Sequence, residues 1–140
     1  PGRVIIQTFQ PKHYALQCAI KHDDEGFYDI EADSREQAQY PPFSRMGTIR
    51  IESDRADLAH EVSARVATIA RNLSPGYSLR VRGPAPAPIE RIRDKTRKIV
   101  MLTTPKPASL VAALKRIKGE LGRTHSRVDV IFDVDAYDLL

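Results

Sequence analysis

The chain has 140 residues, with 22 Lys and Arg, 18 Asp and Glu, and a formal net charge of +4. This length favours one domain, or one domain and a fragment of another. No apolar run reaches the roughly 18 residues of a membrane span, and the single Cys excludes an internal disulfide and a cysteine zinc cluster. These features predict an intracellular protein that is not membrane-bound. Because the chain starts at Pro1 without an initiator Met, we expect it to belong to a larger protein.

The first 40 residues are predicted to contain a strand and two helices. Residues 4–9 are apolar and β-prone, and residues 11–22 have apolar side chains at helical spacing. In residues 23–40, the side chains at helical spacing are Tyr28, Ala32, Arg35 and Gln39. This segment carries 4 cations and 7 anions, against 18 and 11 in the remainder. The charge changes sign at Pro41-Pro42, where a helix must stop because proline disfavours helix in the residue before it. We therefore predict two domains, residues 1–40 and 41–140.

The second segment has a cleaner pattern of alternating elements. Residues 45–53 are predicted to form a strand, and Ser53 or Asp54 then caps a helix. Residues 79–82 read as a short strand, and residues 89–103 as a longer strand or hairpin. The helix that follows Ser53 and Asp54 has its apolar positions at Leu58, Val62, Val66, Ile69 and Leu73.

The end of the chain completes the pattern. Pro107 opens a helix with Leu110 and Leu114 on its apolar face, and residues 128–134 alternate as a last strand. The order β-α-β-β-α-β predicts an α+β fold. Its antiparallel sheet has two helices on one face, of the ferredoxin-like kind.

A basic run follows a segment in which proline occupies every second position, Pro84, Pro86 and Pro88. Between residues 80 and 98, 7 cations accompany only 2 anions, so the positive charge is a patch. If the strand stays extended, alternation puts several of these cations on one face, as a polyanion site requires. The alternative is a solvated basic edge that discourages aggregation. The cations predicted to share one strand face are Arg91, Arg93, Lys95 and Arg97.

No catalytic constellation accompanies this run. The four His residues are scattered, and the glycines form no phosphate-binding loop. Asp129, Asp133 and Asp135 share a strand face but lack a further ligand, so salt bridges explain them better than a metal does. A second basic cluster on the last helix and the turn after it favours a solvated face. We predict neither a catalytic site nor a metal site.

Four blocks, in this order and spacing, resemble the C-terminal part of primosomal protein N′ (PriA), the family of bacterial replication-restart DNA helicases. The most specific is Arg82-Gly83-Pro84-Ala85-Pro86-Ala87-Pro88-Ile89 with its trailing arginines. The other three are Gly2-Arg3-Val4-Ile5-Ile6-Gln7-Thr8, Tyr40-Pro41-Pro42-Phe43 and Asp133-Val134-Asp135.

The resemblance implies that residues 1–40 are the tail of helicase lobe 2 and its connecting segment. Residues 41–140 are then the C-terminal domain, of ribosomal-protein-like fold, which binds DNA and partner proteins. The family is an ATP-dependent 3′→5′ helicase. Its ATP/Mg and zinc motifs lie upstream of Pro1, so this fragment alone is expected to hold no cofactor and to be inactive as an enzyme.

The partners that the resemblance implies are forked or single-stranded DNA, single-stranded-DNA-binding protein and other primosome proteins, without a membrane. The implied location is the cytoplasm, associated with the nucleoid. Relatives commonly carry aromatic residues where Thr96 and Lys98 stand, which favours phosphate contact over base stacking here. The expected nucleic-acid contacts are Arg82, Arg91, Arg93, Lys95, Arg97 and Lys98.

The expected partner-binding residues are Lys106 and Lys115. The family's tail-binding arginine falls near Pro107, and the adjacent Lys106 takes over its carboxylate contact in this interpretation. Three other functions remain open on sequence grounds. The first is an RNA-binding module of ribosomal-protein-like fold, and the second is a regulatory α+β domain that binds a small ligand. The third is a purely structural role in bracing the helicase lobes.

Overall fold

The computed structural model describes residues 2–135 and divides the chain into two compact units, Pro1–Ala38 and Gln39–Leu140. Unit 1 contains two helices, α1 (Tyr14–Lys21) and α2 (Asp24–Ala38). Within residues 39–135, unit 2 contains four strands and two helices. They are β1 (Arg45–Ser53), α3 (Ala56–Tyr77), β2 (Arg80–Ile92), β3 (Lys95–Thr104), α4 (Pro107–Leu121) and β4 (Val128–Val134).

The two helices of unit 1 are joined by a polar cluster around Glu31. The Tyr14 hydroxyl of α1 donates to this carboxylate, and Arg35 Nε donates to it from 2.6 Å. The hydrogen bond from Tyr14, and then that from Arg35, hold the pKa of Glu31 below its usual value.

The strand predicted for residues 4–9 is absent. This segment has no regular structure, and Val4 and Phe9 are fully or almost fully exposed. The prediction was wrong because a strand needs a neighbour for its backbone hydrogen bonds. Unit 1 offers no second strand among its described residues.

The four strands of unit 2 form one antiparallel sheet in the order β2-β3-β1-β4. The two helices and this sheet give an α+β fold that matches the ferredoxin-like type, and the predicted class is confirmed. In the register of the sheet, Ile49 of β1 lies opposite Val100 of β3 on one side and Phe132 of β4 on the other. The sheet therefore has β2 and β4 as its two edge strands.

The core lies between one face of the sheet and the helices α3 and α4. Ile49 and Ile51 are fully buried on this face, so the residues between and beside them, such as Arg50 and Glu52, lie on the opposite face. The latter is called the open face below. The largest buried core side chains are Ile49, Ile51, Leu102, Leu110, Ile117, Val66 and Val100.

Helix α3 carries its predicted apolar face into this core, but it begins differently. Its N-cap residue is Arg55, which makes no side-chain capping bond. The sequence predicts Ser53 or Asp54 as the cap. The Ser53 hydroxyl instead accepts from the Arg55 N–H and donates to the backbone carbonyl of Arg127, 2.8 Å away, and thereby joins β1 to the segment before β4. The Asp54 carboxylate accepts from Arg127.

The proline segment lies inside β2 and does not separate two strands as predicted. Three prolines at alternate positions occur within Arg80–Ile92, and the pairing with β3 shifts register twice along them. Gly83 lies at the first shift with φ +97, and a Cβ there would be 2.7 Å from the carbonyl oxygen of Ile99. Only glycine meets both demands, the positive φ and the close backbone contact.

Candidate nucleic-acid interface

The basic run forms the tip of a β-hairpin in which a two-residue turn joins β2 to β3. Ile92 pairs with Lys95, and Arg93 and Asp94 between them have φ values of 49 and 62. Positive φ at both central residues is the geometry of a type I′ turn, which follows the natural twist of a hairpin. Arg91, Arg93 and Asp94 are all exposed at this tip.

The turn separates the cations that were predicted to share one strand face. Arg91 lies opposite Thr96, and Lys95 and Arg97 alternate with Thr96 along β3, so they point to the other face. The single cationic face is therefore a wrong prediction, because the chain reverses at Arg93. What the turn leaves near the tip are Arg93 in the turn itself, Arg91 on one face of the hairpin and Lys95 on the other.

Arg97 is buried and committed to structural contacts. It is 4% exposed, and its Nε lies 3.1 Å from Glu52 Oε1 on the open face. Its Nη1 donates to the carbonyl oxygen of Ile89 across the hairpin, 3.3 Å away. A guanidinium held in this way ties β2 and β1 to β3 and leaves little surface for a phosphate.

Lys98 is also buried, on the opposite face of β3 from Arg97. It is 7% exposed, and its Nζ lies 3.3 Å from Glu90 Oε1. Glu90 itself is more than half exposed, so solvent reaches one side of the pair.

Lys95 is half-buried near the hairpin tip. Its Nζ donates to Asp129 Oδ2 on β4, 2.6 Å away across the open face. This hydrogen bond raises the pKa of Lys95 above its usual value. The sequence had suggested that salt bridges explain the aspartates of the last strand, and this pair is one of them.

Arg82 lies apart from the tip, toward the other end of β2. Its guanidinium carbon is 4.8 Å from the centroid of the Tyr40 ring, a cation–π distance. Its register partner on β3 is Met101, so it belongs to the open face. Of the six predicted nucleic-acid residues, the structure therefore places three at the tip, one at a distance on β2 and two in buried ion pairs.

The two predicted partner-binding lysines are both exposed but lie far apart along α4. Lys106 is the N-cap residue, and Lys115 lies nine positions later. At about 1.5 Å of rise per residue, about 13 Å of helix axis separates them. They do not form one carboxylate-binding pair.

Sequence reasoning missed a groove beside Lys115. It lies between α4 and β4 and is lined by Val111, Leu114, Lys115, Lys118, Phe132 and Val134. The signal was present, because Val111 is apolar but stands outside the Leu110–Leu114 face of α4. We call this feature the α4–β4 groove. Among residues 2–135, no group of three or more His, Cys, Asp or Glu residues is placed to hold a metal ion.

A family model described as the primosomal protein N C-terminal domain matches residues 36–137, which include every strand of the sheet and the basic hairpin. The chain belongs to this family. Other members of the family are therefore the relevant proteins for comparison with this chain.

Two curated relatives extend the comparison. The replication restart protein PriA of Bacillus subtilis (strain 168) is 30% identical over 141 residues, which cover 96% of this chain and 17% of the relative. The replication restart protein PriA of a Synechocystis species is 31% identical, over 84% of this chain and 14% of the relative. The chain thus spans less than a fifth of the length of these relatives.

A solved structure shares the fold of this primosomal protein N C-terminal domain. The de novo designed protein Foldit4 is 14% identical, with a TM-score of 0.50 over 68% of this chain and 99% of the design. At this identity the likeness concerns the fold alone. Within residues 2–135, no helix has the length and apolar character needed to cross a membrane.

Proposed function

We propose that this chain is the DNA-binding and partner-docking end of an ATP-dependent 3′→5′ helicase that restarts replication. In this proposal it binds branched DNA through backbone phosphates and helps to dock single-stranded-DNA-binding protein. The observation that carries the proposal is the hairpin tip. It presents the exposed Arg91 at the end of β2 and the exposed Arg93 in the two-residue turn, with the half-buried Lys95 on the other face of the hairpin from Arg91.

The tip suits phosphate contact for electrostatic reasons. The Nη2 of Arg91 lies 3.5 Å from Asp94 Oδ1, and both side chains are highly exposed. An exposed pair of this kind contributes little energy, so a phosphate displaces the carboxylate at small cost. Phosphate contacts carry no base code, so the proposal predicts selection of DNA structure and not of sequence.

The proposal assigns different roles to the six predicted residues according to their exposure and ion pairs. Arg91 and Arg93 are the principal contacts in the proposal, with Lys95 secondary because Asp129 already neutralises part of its charge. Arg82 is held near Tyr40 and contributes to the same surface only where DNA runs along β2. Arg97 and Lys98 act by supporting the hairpin, since both are buried in ion pairs.

The docking part of the proposal rests on Lys106 and Lys115. Both ammonium groups lie on exposed parts of α4 and are available to the carboxylates of an acidic, apolar tail. Because they are about 13 Å apart on the helix axis, each meets a different part of such a tail. Charge reversal at Lys106 and at Lys115 separately should weaken the binding of a synthetic tail peptide by different amounts.

The DNA proposal is tested by fluorescence anisotropy with a forked DNA, a matched duplex and a single strand, each at two salt concentrations. We expect salt-dependent binding that favours the fork. The double variant Arg91→Ala/Arg93→Ala should bind all sequences more weakly. Its slope of log affinity against log salt should be shallower by about 1.8, because about 0.9 is lost for each duplex phosphate contact.

The matched control is Arg65→Ala/Arg123→Ala, which removes the same charge from exposed positions outside the hairpin. If both double variants lose affinity equally, net charge and not the hairpin tip drives binding, and the assignment of the tip fails. Absence of binding at low salt, or preference for a structured RNA in direct competition, would overturn the proposed branch-binding function.

A further inference from the structure

The outer edge of β4 presents unpaired backbone groups in the direction away from the sheet. The Asp135 N–H donates to the Met46 carbonyl at 2.7 Å, and Gly47 faces Val134 in register. In an antiparallel ladder the hydrogen-bonding direction alternates, so residues 129, 131 and 133 also bond to β1. The backbone N–H and C=O groups of Val130, Phe132 and Val134 then point away from the sheet. No strand of unit 2 pairs with this edge within residues 39–135.

The α4–β4 groove runs beside this edge on the helix side of the sheet. Val111 and Val134 are each 42% exposed, an unusual degree for large apolar residues that line the same depression. Lys115 and Lys118 lie at its rim, and Lys118 Nζ is 6.0 Å from the centroid of the Phe132 ring. Neither lysine forms an ion pair with another residue between 2 and 135. The groove therefore favours apolar side chains flanked by carboxylates.

The open face of β4 favours positively charged side chains of a partner, whereas the groove on the helix side favours carboxylates. Asp129, Ile131 and Asp133 are exposed on the open face, Asp129 with Lys95 as its ion-pair partner, and they alternate with the residues that line the groove. A second copy of the chain is a poor occupant of this edge. In the antiparallel register that pairs all of β4 with itself, Asp129 lies opposite Asp133 twice, and like charges in that position repel.

We infer that the β4 edge accepts one extended segment of a partner protein as a fifth strand. On the helix side, this segment presents two apolar side chains flanked by acidic ones, which meet Lys115 and Lys118. On the open face it presents basic or hydroxyl side chains toward Asp129 and Asp133. This surface goes beyond the proposed DNA site and shares Lys115 with the proposed tail-docking residues. Its pattern differs from that of a uniformly acidic tail, whose carboxylates would meet the aspartates. Strand addition of this kind combines main-chain hydrogen bonds with pockets for alternate side chains.

The test uses a fluorescein-labelled peptide, Glu-Lys-Val-Thr-Leu-Lys-Glu, with the complete chain. We expect saturable binding, with amide NMR shifts concentrated in β4 and α4 and slowed hydrogen exchange at Val130, Phe132 and Val134. N-methylation of the peptide amides that face β4 should reduce affinity at least tenfold, because it removes the donors without changing a side chain. No binding, or equal affinity of the methylated peptide, would overturn strand addition.

Charge reversal tests the rim of the groove. Lys115→Glu/Lys118→Glu should weaken binding of the peptide at least tenfold, and exchange of its two Glu for Lys should restore it. A peptide with Asp at the open-face positions should bind worse than the original; equal or better binding would refute the role assigned to Asp129 and Asp133. Sedimentation equilibrium should show a monomer without peptide. A dimer that competes with the peptide would show that a second copy is the occupant and would overturn the inference.

Discussion

Truncation of Arg97 should destabilise unit 2. If Arg97 served only to contact DNA, the same truncation would leave the stability of the fold unchanged. The Arg97→Ala variant removes a 4% exposed guanidinium that bridges Glu52 on β1 and the Ile89 carbonyl on β2. It leaves the Glu52 carboxylate, whose side chain is only 18% exposed, with one fewer cation. Folding then has to bury that charge with poorer compensation.

The size of the effect follows from the remaining contacts. Removal of one partner from a buried ion pair costs about 3–5 kcal/mol. Glu52 keeps Arg50, whose Nε is 2.9 Å away, so we expect a loss at or somewhat below the lower end of this range, about 2–3 kcal/mol. For a domain of this size that corresponds to a fall in Tm of roughly 10–20 °C.

The assay compares thermal unfolding and DNA anisotropy for Arg97→Ala and for Arg91→Ala/Arg93→Ala. The tip variant should change the unfolding free energy by no more than about 0.5 kcal/mol, because its side chains are exposed, yet it should lose DNA affinity. An Arg97→Ala protein with an unchanged Tm and a weakened DNA affinity would reverse these roles and refute the structural argument.

Two further predictions concern single residues. Gly83→Ala should lower stability by about 2 kcal/mol or more, since φ is +97 and a Cβ would meet the Ile99 carbonyl. Gly119→Ala, in open space on α4, should raise it by about 0.5–1 kcal/mol in the same denaturant titration; equal effects would contradict the reasoning. Asp54 accepts hydrogen bonds from Arg127, which hold its pKa below the usual value. This lowered pKa stabilises the fold above the unfolded pKa, and the stabilisation is lost as pH falls through the folded pKa. Asp54→Asn should therefore flatten the loss of stability below about pH 4, whereas an unchanged pH profile would contradict it.

The elements of unit 2 were predictable because their patterns are local and consistent. The apolar stripe from Leu58 to Leu73 alternates with polar residues at helical spacing, and Val128 to Val134 alternates at strand spacing. Each pattern buries its apolar side in the core that the structure shows. The strand predicted for residues 4–9 does not form, because β propensity in one segment says nothing about whether a partner strand exists.

The arrangement of the cations was not predictable from the same sequence. Arg93 and Asp94 form a type I′ turn without the Asn-Gly or Gly that normally signals one, so the sequence left a long strand and a hairpin as alternatives and did not locate the reversal. The burial of Arg97 depends on Glu52, which is 45 positions away in sequence and adjacent only through the register of β1 and β3. Composition located the basic patch, but only tertiary contacts distinguish its exposed members from its structural ones.

The prolines of β2 make the two edges of the sheet unequal. Pro84, Pro86 and Pro88 have no N–H, and their spacing of two places the missing donors on one side of the strand. A sheet that grows into a fibril must add strands at both ends, and prolines in an edge strand disfavour addition at that strand. Assembly through β4 is therefore less prone to continue through β2 than it would be with a proline-free edge. The domain can keep one edge open with less of the aggregation hazard that an open edge usually brings.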